Sequence, residues 1–182
     1  MSYKRWIFIA IFLFSIGFVF GLATPTSIAS LISEDIAALK ELSGILVPFS
    51  FLTFILIFIK NTSALLLSFV LSPIFCLVPI LALIANGWLI AFVSTLVIEE
   101  ESLGFLLAGL LPHGIFELPA LILGQAAALS FGTMAILALF KKERRSLLLP
   151  NLKQNFRYLM VAFALLVPAA IIETYITPLL LT

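Results

Sequence analysis

Charge is what this sequence has least of. Of its 182 residues only 10% are Asp, Glu, Lys or Arg, while 63% are hydrophobic. A soluble domain carries roughly 25% charged residues, so an independent soluble domain is excluded and a surface facing lipid is implied. Histidine and cysteine are nearly absent, with one of each. A single cysteine, Cys76, rules out an internal disulfide and sits in an apolar run, where it reads as a small packed side chain. No CxxC, Walker-type loop, GxSxG or HExxH string occurs. The formal charge of +1 is uninformative as a sum, though its distribution is not, and no nucleic-acid partner is expected. No cofactor is expected either.

What is present is long apolar sequence, with mean hydropathy +1.28. A membrane-spanning helix needs about 20 apolar residues. Residues 1–182 therefore read as one integral membrane domain, an all-α polytopic bundle of about five crossings. The first apolar run, from Trp6 to Leu22, follows Lys4 and Arg5 and is longer than a signal-peptide core, so it reads as a retained span. Residues 24–43 open on the helix-start signal Thr24-Pro25-Thr26-Ser27 and alternate apolar positions with Glu34, Asp35, Lys40 and Glu41. That pattern predicts an amphipathic extracytoplasmic helix. A second span is expected over 44–60, ending at Lys60-Asn61.

Residues 62–98 are apolar but interrupted by Pro73, Pro79 and Asn86-Gly87. An unbroken helix of that length would measure about 55 Å, too long for a hydrocarbon core of about 30 Å. The third element is therefore expected to be broken, with a short helix over 63–72 and a longer one over 79–98. Glu99-Glu100-Glu101 reads as a solvated loop, because adjacent carboxylates repel one another. Residues 103–112 are too short to span and read as a short re-entrant or interfacial helix before His113. The fourth crossing covers 113–140, residues 141–157 form a basic cytoplasmic linker, and the last span covers 158–181.

Nine of the ten basic residues (Lys4, Arg5, Lys60, Lys141, Lys142, Arg144, Arg145, Lys153 and Arg157) fall on one side of this arrangement. The acidic groups at 34–41 and 99–101 fall on the other. The positive-inside rule then puts the N-terminus in the cytoplasm and the C-terminus outside the cell membrane. The eighteen Phe read as lipid-facing and packing bulk.

Ionisable groups at membrane depth cost several kcal/mol and point to function. His113 and Glu117 are four residues apart and share a helix face. Glu117 precedes Lys141 by 24 residues, about 36 Å of helix, and Glu173 follows Lys153 by 20, about 30 Å. Both lie near the outer interface, so His113, Glu117 and Glu173 are expected to meet. Asn86 is expected deeper, satisfying backbone groups at the break. Ala120, Gly124, Ala128 and Gly132 recur every fourth residue, a small-residue stripe that admits close approach by another helix. Three roles compete for the polar cluster. It is a hydrogen-bonded lock, a proton or solute relay, or, third, a metal site built from His113, Glu117 and Glu173.

The run Leu111-Pro112-His113-Gly114-Ile115-Phe116-Glu117-Leu118-Pro119-Ala120 resembles the central motif of the stage II sporulation protein M family. Asn86-Gly87, Asn61 and Glu173-Thr174-Tyr175-Ile176-Thr177 are similar to the same family's pattern. The resemblance implies a helical membrane protein and, by its named member, a scaffold that holds partner enzymes. The expectation is thus a non-enzymatic scaffold or assembly protein, homo-oligomeric, with unidentified membrane or extracytoplasmic protein partners. The alternative is a transporter or channel-like component moving a proton, ion or small solute past the His/Glu cluster. An intramembrane metalloenzyme ranks third.

Overall fold

The computed structural model describes residues 3–28 and 47–181. Helix α1 spans Tyr3–Ala23, α2 Phe51–Leu71, α3 Leu77–Glu100, α4 Leu103–Phe140 and α5 Arg145–Tyr175. A 3-10 turn at Lys142–Arg144 joins α4 to α5, and a four-residue helix, α6, follows at Thr177–Leu180. Five of these helices are long and apolar enough to cross a membrane, and no strand occurs among the described residues. Their outward faces carry large apolar side chains such as Phe8, Phe12, Phe51 and Leu139. This is an integral membrane helix bundle. Most of the amphipathic stretch expected at 24–43 lies outside the described residues.

α4 is the central element. It packs most extensively on α5 and also touches α1, α2, α3 and α6. Its middle, from Gly124 to Ser130, is buried residue after residue. That is why five of those seven positions are small: five neighbouring helices cannot close on a helix bearing bulky side chains all round.

α1 and α3 form the second strong pairing. A side chain at Gly17 would strike the backbone of Ile84, one at Gly21 the carbonyl of Trp88, and one at Gly87 the carbonyl of Phe14. Three glycines, two of them four residues apart on α1, let the two backbones touch. Gly87 is therefore a packing residue in mid-helix and not part of a break, since α3 is continuous through Asn86.

Residue numbers rise together along this seam, so α1 and α3 run parallel. The same holds for α2 and α4, where Asn61 pairs with Glu117 and Ser68 with Gln125. Alternating crossings require this relation between every second helix.

The structure moves three expected boundaries. Lys60-Asn61 does not end a span but sits at the middle of α2. Neither residue breaks a helix, and the next proline is Pro73. The break expected between 72 and 79 does fall there, at 72–76, where Phe75 and Cys76 take positive φ of 50° and 55°. There the Ser72 hydroxyl donates to Phe69 O at 2.7 Å, standing in for the hydrogen bond that Pro73 lacks. Pro79 lies in the first turn of α3, where a missing N–H is harmless.

Residues 103–112 are not a separate re-entrant or interfacial element. They are the first turns of α4, which passes through Pro112 and Pro119 without interruption. Each proline removes one hydrogen bond, a loss that neighbouring helices and polar side chains make tolerable in membranes. The linker expected at 141–157 is likewise mostly helix, forming the start of α5. Glu99 and Glu100 close α3 and Glu101 caps it, all exposed as expected of a solvated acidic run.

Candidate functional site

The site begins with one turn of α4. His113 and Glu117 project from the same face, with His113 Nε2 3.8 Å from Glu117 Oε2. Glu173 reaches them from the last turn of α5. One ligating atom from each of the three residues lies within 4.8 Å of the other two. The sequence separation of 56 between Glu117 and Glu173 is closed because α4 and α5 form an antiparallel pair joined by the short turn at 142–144.

Neighbouring polar groups hold this arrangement. Asn61 Nδ2, from the middle of α2, donates to Glu117 Oε1 at 3.2 Å. Thr177, at the start of α6, places its hydroxyl 3.5 Å from His113 Nδ1. The end of α5 is tied back by Phe49 N donating to Thr174 O at 3.2 Å. His113 is 13% exposed and Glu117 34%, so the imidazole is nearly enclosed while the carboxylate keeps one open side. That side faces a cavity of about 300 Å³.

The cavity lies between α2, α3 and α4, where α2 and α3 diverge from their tight turn and touch only sparsely. Lys60, Asn61, Asn86, Glu117 and Gln125 are its polar lining, and Leu166 of α5 contributes to its wall. Lys60 also falls within electrostatic reach of Glu173. Counting formal charges, Lys60, Glu117 and Glu173 sum to −1, and one added positive charge neutralises them. Deeper still, Ser68 Oγ donates to Gln125 Oε1 at 2.6 Å, a wholly buried pair.

Three of the four residues singled out from the sequence thus meet. Asn86 does not join them. It lines the cavity, but its amide donates to Ala82 O at 2.7 Å, one turn back on its own helix. The stripe Ala120, Gly124, Ala128 and Gly132 is buried inside the chain. Gly124 abuts Leu65 of α2, and Gly132 abuts Ser72 and Cys76 at the turn. It is therefore spent on internal packing and is not a free face for another subunit.

Lys60, Ser68 and Gln125 were not singled out as site residues from the sequence, and Asn61 and Thr177 were named only through the family resemblance. A spacing signal existed for three of these five. Asn61 and Ser68 are seven apart and Glu117 and Gln125 eight apart, spacings that keep each pair near one helix face. Reading Lys60-Asn61 as a helix terminus concealed it.

A model of the family described as Stage II sporulation protein M matches residues 9–178. A Methanocaldococcus jannaschii protein, described only as uncharacterized, is 30% identical over 173 residues, covering 94% of this chain and 93% of its own length. No solved structure matches the chain.

Proposed function

The chain belongs to the stage II sporulation protein M family, and on that premise we propose that it acts as a transporter- or channel-like membrane component. In this reading an ion or small polar solute is handled at the cavity beside His113, Glu117 and Glu173. The observation that carries it is the polar lining at membrane depth. Lys60 stands at the midpoint of a spanning helix, and an ammonium there is costly unless it faces partners or water. A helix bundle that only bound other proteins would gain nothing from that lysine.

Orientation follows from charge. Eight of the nine basic residues assigned to the cytoplasmic side lie at the start of α1, in the α4–α5 turn or in the first half of α5, which supports that assignment, and only Lys60 stands mid-helix in α2. The N-terminus is cytoplasmic and the C-terminus extracytoplasmic, in the cell membrane. The cluster, near the C-terminal end of α5, then opens toward the outside and the cavity reaches inward from it. The chemistry is binding and passage, not covalent catalysis.

The test is a flux assay in proteoliposomes loaded with a pH-sensitive dye. Wild-type protein should dissipate an imposed proton or cation gradient faster than Glu117→Gln or Lys60→Met. Equal rates for all three, with each protein correctly inserted, defeat the transport reading.

A second reading, a scaffold or assembly protein, keeps one observation in its favour. Hydrogen bonds from Asn61 and Ser68, and the Thr177–His113 contact, tie α2 and α6 to α4. Its partners would be other membrane or extracytoplasmic proteins, or further copies of the chain. Crosslinking in native membranes, with recovery of a partner that Glu117→Gln still captures, would support it.

A further inference from the structure

We propose that His113, Glu117 and Glu173 form a binding site for one divalent transition-metal ion of the zinc type. The proposal goes beyond passage through the cavity: the site stands whether or not the protein moves anything.

Donor type comes first. One imidazole and two carboxylates are ligands that zinc and its first-row neighbours accept, and three protein ligands with a fourth position left for water is the usual open arrangement. Spacing comes second. Tetrahedral ligands about 2.0–2.2 Å from zinc lie roughly 3.3–3.6 Å from one another. Here His113 Nε2 and Glu117 Oε2 are 3.8 Å apart, and all three ligating atoms lie within 4.8 Å. Small rotations of three side chains close that difference, with no movement of a helix.

The surrounding contacts match what a metal ligand needs. With Nδ1 turned to the Thr177 hydroxyl, Nε2 is left bare and directed at Glu117. A ligating histidine generally has its other nitrogen engaged in this way. Asn61 fixes Glu117 through Oε1, which leaves Oε2 for the ion. Coulomb's law gives the driving force. Two carboxylates converge here beside a single lysine, so a divalent cation turns a repulsive grouping into an attractive one. Glu117 borders the cavity, which supplies both the entry path and room for a water or an anionic ligand at the fourth position.

The experiment uses the full chain, purified in detergent without a histidine tag and incubated with zinc chloride. One zinc per chain is expected by mass spectrometry of the metal. The X-ray absorption spectrum should show nitrogen and oxygen neighbours at about 2.0–2.2 Å and no sulfur. Glu117→Gln and Glu173→Gln keep side-chain size, His113→Asn removes the imidazole, and each should lose the bound ion. Asn61→Leu, which removes only a supporting contact, should weaken affinity about ten- to a hundredfold.

Zinc retained equally by a correctly eluting triple variant overturns the site, as does a sulfur ligand or no zinc on the wild type. Zinc binding without gradient dissipation defeats transport alone, and dissipation without zinc binding defeats this proposal alone.

Discussion

Two helix pairs in this molecule solve the same problem by opposite means. α1 and α3 associate through glycine, with backbone against backbone at Gly17, Gly21 and Gly87. α2 and α4 associate through polar rungs, Asn61 with Glu117 and Ser68 with Gln125. Lipid gives no hydrophobic drive to either pair, so one relies on van der Waals fit while the other adds hydrogen bonds to the contact of Gly124 with Leu65. The glycine seam is dry and leaves no room. The polar pair holds its helices apart from α3 and leaves the cavity. The seam that fits best leaves no cavity, and the pair that fits loosely borders the polar one.

The comparison is broken most severely at the seam. Gly17→Leu and Gly87→Leu put side chains into a neighbour's main chain, which cannot rotate away as a side chain can. Each should cost about 3 kcal/mol, read as a lower unfolding midpoint in a detergent titration. A shift no larger than that of an exposed substitution such as Leu149→Ala would show that the seam is not held by close approach.

The rungs should respond less. In a double-mutant cycle of Ser68→Ala and Gln125→Leu, the coupling should be about 0.6–1.7 kcal/mol, the range for hydrogen bonds between membrane helices. Zero coupling would remove the polar pair from the account of α2–α4 association.

The smallest effect concerns the turn where α2 ends. Burial pushes the Cys76 thiol above its ordinary value, with a smaller opposing contribution from the Thr133 hydroxyl. A raised value means less thiolate at any given pH, so alkylation at neutral pH should be slow. The rate should still be climbing above about pH 8.5, where a free thiol is already half ionised. A plateau at the pH typical of a free thiol would place Cys76 in water.

The sequence made some of this legible. Hydropathy and the charge runs at 4–5, 99–101 and 141–145 define five helices and the alternation between them. The convergence of His113, Glu117 and Glu173 followed from counting helical rise back from the basic residues. What escaped was everything that depends on a polar residue sitting inside a span. Lys60-Asn61 looks like a helix end because charge belongs in water, yet here Lys60 lines the polar cavity within electrostatic reach of Glu173. Asn86-Gly87 looks like a break because both residues favour turns, yet Gly87 is where α1 presses on α3. Local propensity is silent about which helix will be the neighbour.

Length sets one last condition. At 38 residues α4 measures about 57 Å, nearly twice the thickness of an average hydrocarbon layer. At the tilts of up to about 40° that spanning helices adopt, a portion must emerge, and the ten residues ahead of His113 amount to about 15 Å. Bilayer thickness thus sets how deeply the imidazole is submerged: thin lipid bares it to water, thick lipid drowns it. The lipid composition surrounding this protein is in effect a dial on how far the His113, Glu117 and Glu173 group stands from water.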